Sequence, residues 1–337
     1  MFVGASPRSG TTMLRTMLNT HPHLAIPRET RFLIEMYERR TSFGNLRKRE
    51  NHRAAAEFIV MRPDSWFGRF GVDREYAMQQ MMAAPPTLGS LIGTAFKLYA
   101  EGQGKQRWGD KRPSYVLHLP GIFDMFPDAQ FVNVIRDPRG AVASMKKLNW
   151  YGGDVGPAVE LWLRCVRHAG RAHGRYRDDQ WFEISYETLV LDPEKSLHRI
   201  SEFLTLDTAY VDRMLGFHEN VDEPTSEYHN RLSEPANPAK INAWGEVLSP
   251  EEVAFVEKKC ATFMDRYGYE RRAPSVAIPA PLKKSFEERK AKMRKRDQRL
   301  ARMRKRERYP ITARLTTPQR RRYAIDQVAV RARWILG

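Results

Sequence analysis

The sequence predicts an α/β fold: a P-loop-type parallel sheet with helices on both faces, plus a basic C-terminal helical tail. Three observations predict it. A strand, loop and helix unit occupies the first twenty-two residues, a second runs from Gln130 to Met145, and almost all the surplus positive charge lies beyond residue 280. Short buried strands that alternate with helices pair in parallel and are covered on both sides.

In the first unit, Phe2 and Val3 form a short buried strand, and Gly4 and Gly10 allow a tight turn. Thr11 and Thr12 open a helix whose apolar positions include Met13, Leu14, Met17 and Leu18, and His21-Pro22 ends it. The free N–H groups at such a helix start join the loop amides in a cradle for anions. A nucleoside triphosphate loop reads G-x-x-x-x-G-K-[ST]. Here five residues separate Gly4 from Gly10, and Thr11 stands where the lysine belongs. Arg8 supplies the cation from within the loop. The missing lysine counts against transfer of a γ-phosphate, which ordinarily needs lysine and magnesium. A donor carrying a singly charged sulfonate needs less.

With 337 residues, 42% of them hydrophobic, the chain can bury one α/β core of about 250 residues. Residues 1–272 are expected to form this body, 273–281 a proline-rich linker and 282–337 the basic tail. The formal charge is +17, but residues 281–337 hold twenty Lys/Arg against five Asp/Glu, which leaves the body nearly neutral. Cys165 and Cys260 can form one bridge at most, so a reducing compartment is expected. No apolar run approaches the roughly 18 residues of a membrane span, and no leader precedes the strand at Met1. The expected location is the cytoplasm, with peripheral contact at a membrane surface as an option.

Between Arg31 and about residue 100 the pattern predicts helices, among them Arg53 to Met61 and Tyr76 to Met82, inserted between strands one and two. Insertions of this sort build acceptor pockets at the carboxyl ends of strands. Trp66, Phe67, Phe70 and Tyr76 either line that pocket or pack as ordinary aromatics. Arg107 to Pro113 reads as a short strand into a turn, followed by an apolar helix from Ser114 to Phe126. Gln130 to Ile135 is β-branched and aromatic, a clear buried strand, with Arg136 at its end and a helix starting at Asp137 or Pro138. Ala158 to Gly174 is a helix and Trp181 to Tyr186 a strand. A helix over Leu197, Ile200, Phe203 and Leu204 comes next, then an irregular polar stretch over 217–245. Ser249-Pro-Glu-Glu252 starts a helix that Gly268 ends. Lys283 to Arg308 is a charged helical pattern with little apolar face.

Pro7-Arg-Ser-Gly-Thr-Thr12 and Arg136-Asp-Pro-Arg-Gly-Ala-Val-Ala-Ser144 resemble the two cofactor motifs of sulfotransferases that use 3′-phosphoadenosine-5′-phosphosulfate (PAPS). The stretch through His21-Pro22 to Glu29-Thr30-Arg31 is most similar to the tyrosylprotein sulfotransferase branch. The resemblance implies an enzyme that moves a sulfuryl group from PAPS to an acceptor hydroxyl of a peptide tyrosine, a sugar or a small metabolite, releasing PAP without a metal. It implies that Arg8, Ser9, Gly10, Thr11 and Thr12 hold the 5′-phosphate, and Arg136 and Ser144 the 3′-phosphate. Tyr186 and Lys240 would add contacts to the nucleotide. Glu29 matches the branch's general base, with His21, His23 and His118 as rivals. Lys111 matches the lysine that stabilises the leaving phosphate, and Arg31 would orient the acceptor or the sulfonate. The bland alternatives are a surface salt bridge of Arg136 with Asp137 or Asp110, a solvated Lys111, and a helix-capping Glu29. The chain departs from the branch in Arg28, in lacking the local cysteine bridge, and in its basic tail.

Two other readings compete: a P-loop kinase or NTPase with Asp110 or Asp137 as metal ligands, and a polyanion or membrane-surface binder that works through its tail. Anionic lipid suits the terminal Trp334-Ile-Leu336 beside Arg331 and Arg333. Nucleic acid is disfavoured, because the aromatic interleaving of a strand-binding groove is missing.

Overall fold

The computed structural model describes residues 1–148, 152–220 and 236–305. In chain order these carry β1 (Phe2–Ala5), α1 (Thr11–Asn19), β2 (Leu24–Ala25), α2 (Phe32–Glu38), α3 (Arg49–Val60), α4 (Arg74–Ala83) and α5 (Leu88–Gly102). Then come β3 (Arg107–Trp108), β4 (Asp110–Lys111), α6 (Leu119–Met125), β5 (Phe131–Ile135), α7 (Pro138–Lys146) and α8 (Val155–Gly170). The chain continues through β6 (Trp181–Ser185), α9 (Tyr186–Leu191), α10 (Pro193–Leu204), α11 (Val211–Leu215), α12 (Pro250–Tyr267) and α13 (Ala280–Lys305).

Two compact units divide them. The first contains Met1–Glu29, Gln103–Leu119 and the described residues from Ala129 onward. Its sheet is wholly parallel in the order β4-β1-β5-β6, with Val3 opposite Lys111 and Val132, and Ile135 opposite Ser185. Because β1 sits between β4 and β5, the chain passes first to one side of it and then crosses to the other, and the four carboxyl ends share one edge. That edge is where ligands bind in open parallel sheets. Period-two alternation sorts the strands' side chains: Val3, Ala5, Val132, Val134 and Ile184 join Leu14, Met17, Leu18, Leu197 and Ile200 in one apolar cluster. On the opposite face Phe2 meets Trp108 and Tyr115 edge-on, and Phe131 stacks on Trp181.

Local signals explain several boundaries. Ser249 and Glu252 form a reciprocal capping box at the start of α12, and Gly268 closes that helix with φ 72°. Asp137 caps α7 ahead of Pro138. The span predicted as one helix from Ser114 to Phe126 is instead a 3-10 helix, Pro113–His118, followed by the short α6. The short strand expected at Arg107 is β3, whereas its partner β2 was not expected, since two residues carry no periodicity. No helix among the described residues is long and apolar enough to cross a membrane. Cys165 and Cys260 are buried and free.

The second unit contains Thr30–Gly102 and Pro120–Asp128. Its core is aromatic: Phe32, Phe70, Phe96 and Tyr99 meet at centroid distances of 4.8–6.2 Å. Phe67 and Phe70 therefore pack in this core, not along a pocket wall, and Tyr76 is exposed.

Candidate active site

The loop after β1 turns tightly enough to need two left-handed residues, Arg8 at φ 65° and Gly10 at φ 84°. Gly10 is also forced by proximity: a Cβ there would lie 2.5 Å from the Tyr186 ring. Gly10 precedes α1 with no side-chain cap, and the first turn of α1 holds no acid, so its amides face the loop with the helix dipole behind them. Within that loop the Ser9 hydroxyl is buried and has no hydrogen-bond partner among the described residues.

The second corner folds onto the first. Arg136, just past β5, donates from Nη1 to the carbonyl of Arg8 at 2.7 Å and lies 4.1 Å over the Tyr186 ring. Its Nε is buried without a partner among the described residues. Arg8 Nε donates to Ser144 Oγ at 3.0 Å. Both arginines, Ser144 and Tyr186 thus gather at the carboxyl edge of the sheet. The surface ion pair considered for Arg136 is replaced: Asp137 pairs with Arg139, and Asp110 accepts from the Tyr115 hydroxyl.

Residues that sequence reasoning did not single out hold this corner. Trp162 Nε1 donates to the Arg136 carbonyl at 3.1 Å. Glu187 accepts from the Asp137 amide at 3.0 Å and from the Tyr269 hydroxyl at 2.9 Å, and burial raises its pKa. Arg139, 4% exposed, joins Asp137 to Glu257. A lone Glu after Tyr186 gives no sequence signal of this, because its partners lie 50 and 82 residues away.

Lys111 was expected in a solvated turn or beside the leaving phosphate. It is the last residue of β4, paired with Val3, and its residue is 3% exposed. Its ammonium donates to Glu29 Oε1 at 2.7 Å and to Thr12 Oγ1 at 3.2 Å. Burial lowers its pKa, and the Glu29 carboxylate opposes that shift. Cation, candidate base and helix start therefore meet at one point.

The remaining expected residues have local settings of their own. Lys240 is exposed in the 3-10 turn Pro238–Lys240, with no side-chain hydrogen bond or ion pair among the described residues. Arg31 belongs to the second unit, where its guanidinium lies 4.2 Å over Trp66. His21 has both ring nitrogens engaged, Nε2 against the Asp207 carbonyl at 3.3 Å and Nδ1 accepting from the His23 amide at 3.2 Å. Its ring and that of His23 pack edge-on against Tyr210. His118 ends the 3-10 helix after β4.

The orphaned Ser9 hydroxyl, the orphaned Arg136 Nε and the uncapped amides fit an anion with more than one charged group. A profile of the Sulfotransferase family matches residues 1–212. Protein-tyrosine sulfotransferase A of Caenorhabditis elegans is 24% identical over 296 residues, covering 84% of this chain and 70% of that protein. Among solved structures, the sulfotransferase domain from the Synechococcus PCC 7002 olefin synthase aligns with a TM-score of 0.55 at 24% identity, over 80% of this chain and 94% of that one. The sulfotransferase domain from the curacin biosynthetic pathway aligns with a TM-score of 0.56 at 20% identity, over 80% and 98%. The chain belongs to the Sulfotransferase family and is an enzyme of sulfuryl transfer.

Proposed function

We propose that this enzyme moves the sulfuryl group of PAPS to the hydroxyl of an acceptor (a peptide tyrosine, a sugar or a small metabolite) and releases PAP. PAPS supplies an activated sulfuryl group whose departure leaves negative charge on a phosphate oxygen. The amides of α1 with Arg8, Ser9, Gly10, Thr11 and Thr12 bind the 5′-phosphate. Arg136 and Ser144 bind the 3′-phosphate, with Tyr186 beneath. Lys240 toward the nucleotide and Arg31 toward the acceptor rest on the resemblance alone. Residues 1–272 carry the reaction, 273–281 connect, and 282–337 form a basic appendage. The cytoplasm is the setting we assign, in keeping with the free thiols of Cys165 and Cys260.

One observation carries the reading: Lys111 Nζ bridges Thr12 at the phosphate loop and the carboxylate of Glu29. A buried cation here stabilises charge that develops on the leaving phosphate. Glu29, whose side chain is 39% exposed, can reach an acceptor and take its proton.

The test is transfer of labelled sulfate from PAPS to a panel of peptides, glycans and phenols, with calorimetric titration of PAP alongside. Arg136→Ala is expected to weaken PAP binding by about tenfold or more. Glu29→Gln should bind PAP normally and lose turnover by roughly a hundredfold or more. Tighter binding of ATP with magnesium than of PAP would favour the kinase reading and overturn this one.

A further inference from the structure

The helix α13 carries twelve Lys/Arg and three Asp/Glu, yet it packs on the body. Phe286 and Met293 are 2% and 7% exposed, and Phe286 meets Phe255 edge-on at 5.9 Å. Ser285 Oγ donates to Asp154 Oδ1 at 2.9 Å, and Asp297 pairs with Arg164. The backbones approach closely at Gly156, where a Cβ would lie 2.7 Å from the Phe286 amide nitrogen. Phe286 and Met293 are therefore spent on α12 and α8.

All three acids of the helix are in ion pairs. Glu287 meets Lys259 and Lys290, Glu288 meets Lys284, and Asp297 meets Arg164. Lys292, Lys295, Arg299 and Arg302 are exposed and have no ion pair among the described residues. Their spacing of i, i+3, i+7 and i+10 places them on one stripe about 15 Å long. Four cations held in a line on a docked helix meet a flat anionic surface together, without the cost of ordering a flexible chain. The only aromatic residue of α13, Phe286, is buried, so the helix offers no stacking platform for a nucleic acid strand. Beyond it, residues 306–337 add eight Lys/Arg against two Asp/Glu and contain Trp334-Ile-Leu336 beside Arg331 and Arg333, a composition suited to anionic lipid.

We infer that the outward face of α13 is a contact surface for an anionic bilayer. The contact is electrostatic, because Phe286 and Met293, the buried large apolar side chains among the described residues of α13, face the body. It is independent of the acceptor and of the sulfuryl-transfer chemistry.

Cosedimentation of the full chain with phosphatidylcholine vesicles, and with vesicles that also contain phosphatidylglycerol, tests it. Binding is expected to the anionic vesicles alone, and to fall by about tenfold or more from low to high salt. Combined Lys292→Glu, Lys295→Glu, Arg299→Glu and Arg302→Glu should cut affinity by at least about tenfold. Glutamine at the same four positions, a good helix former, guards against unfolding and should lose about threefold or more. A control with equal charge change elsewhere, Arg47→Glu, Lys48→Glu, Arg49→Glu and Arg74→Glu, should keep binding. Equal loss in the control, no binding to anionic vesicles, or capture by heparin or duplex DNA without vesicle binding would each overturn the inference.

Discussion

At Lys111, burial and charge oppose each other: a cation that is almost out of water is held by a carboxylate that is not. Such a pair does little for stability, since desolvation offsets its attraction, but it keeps a charge where solvent cannot screen it. His21 shows the reverse logic. With Nε2–H donating to Asp207 and Nδ1 accepting from His23, only the neutral ring satisfies both bonds, and burial lowers its pKa in the same direction. The unfolded chain binds a proton near pH 6.5 that the folded ring refuses, so stability rises with pH through the window ending there and falls as pH drops. Calorimetric melting from about pH 7.5 to about pH 5.5 should show a decline in Tm that is smaller in His21→Gln. Equal slopes would assign the acid sensitivity to other groups, such as His52, whose pKa burial also lowers.

At the level of elements, the site is two strand-to-helix corners that brace each other through Tyr186. The ring sits against Gly10 on one corner and under the Arg136 guanidinium on the other. Gly10→Ala is the sharpest probe of that brace. The added methyl would meet the ring at 2.5 Å at a backbone φ of 84° that alanine rarely adopts. The expected result is a loss of about 1–3 kcal/mol of stability and a much weaker response to PAP in titration. Unchanged PAP affinity would mean that the loop binds no phosphate. Behind the second corner, the chain Tyr269 to Glu187 to Asp137 fixes the backbone beside Arg136, so residues from three distant stretches set one guanidinium.

For the whole molecule, the body is nearly neutral and the basic charge is attached by a docked helix. Deleting residues 281–337 therefore uncovers α8 and the ring of Phe255 in addition to removing charge. A fall in Tm of at least about 3 °C is expected from the lost apolar contacts, read by calorimetry. An unchanged Tm would show that the packing of Phe286 and Met293 contributes nothing. The long elements were legible in the sequence because their signals are local: the turn glycines of the loop after β1, the apolar runs of β1, β5 and β6, the capping box of α12. The motifs also placed Arg8 and Arg136 after strand ends and Ser144 in the following helix, where the three come together. The strand β2 was not legible, and neither were the division of the Arg107 strand into β3 and β4, the pairing of Lys111 with Glu29, the support from Glu187 and Tyr269, or the docking of α13. By itself the sequence determined the longer strands and helices, since backbone dihedrals and side-chain period are set by covalent neighbours. Tertiary structure alone decided which side chains meet, because strand order brings together residues as distant in sequence as Arg8 and Ser144, 136 positions apart, and burial sets the strength of what forms there.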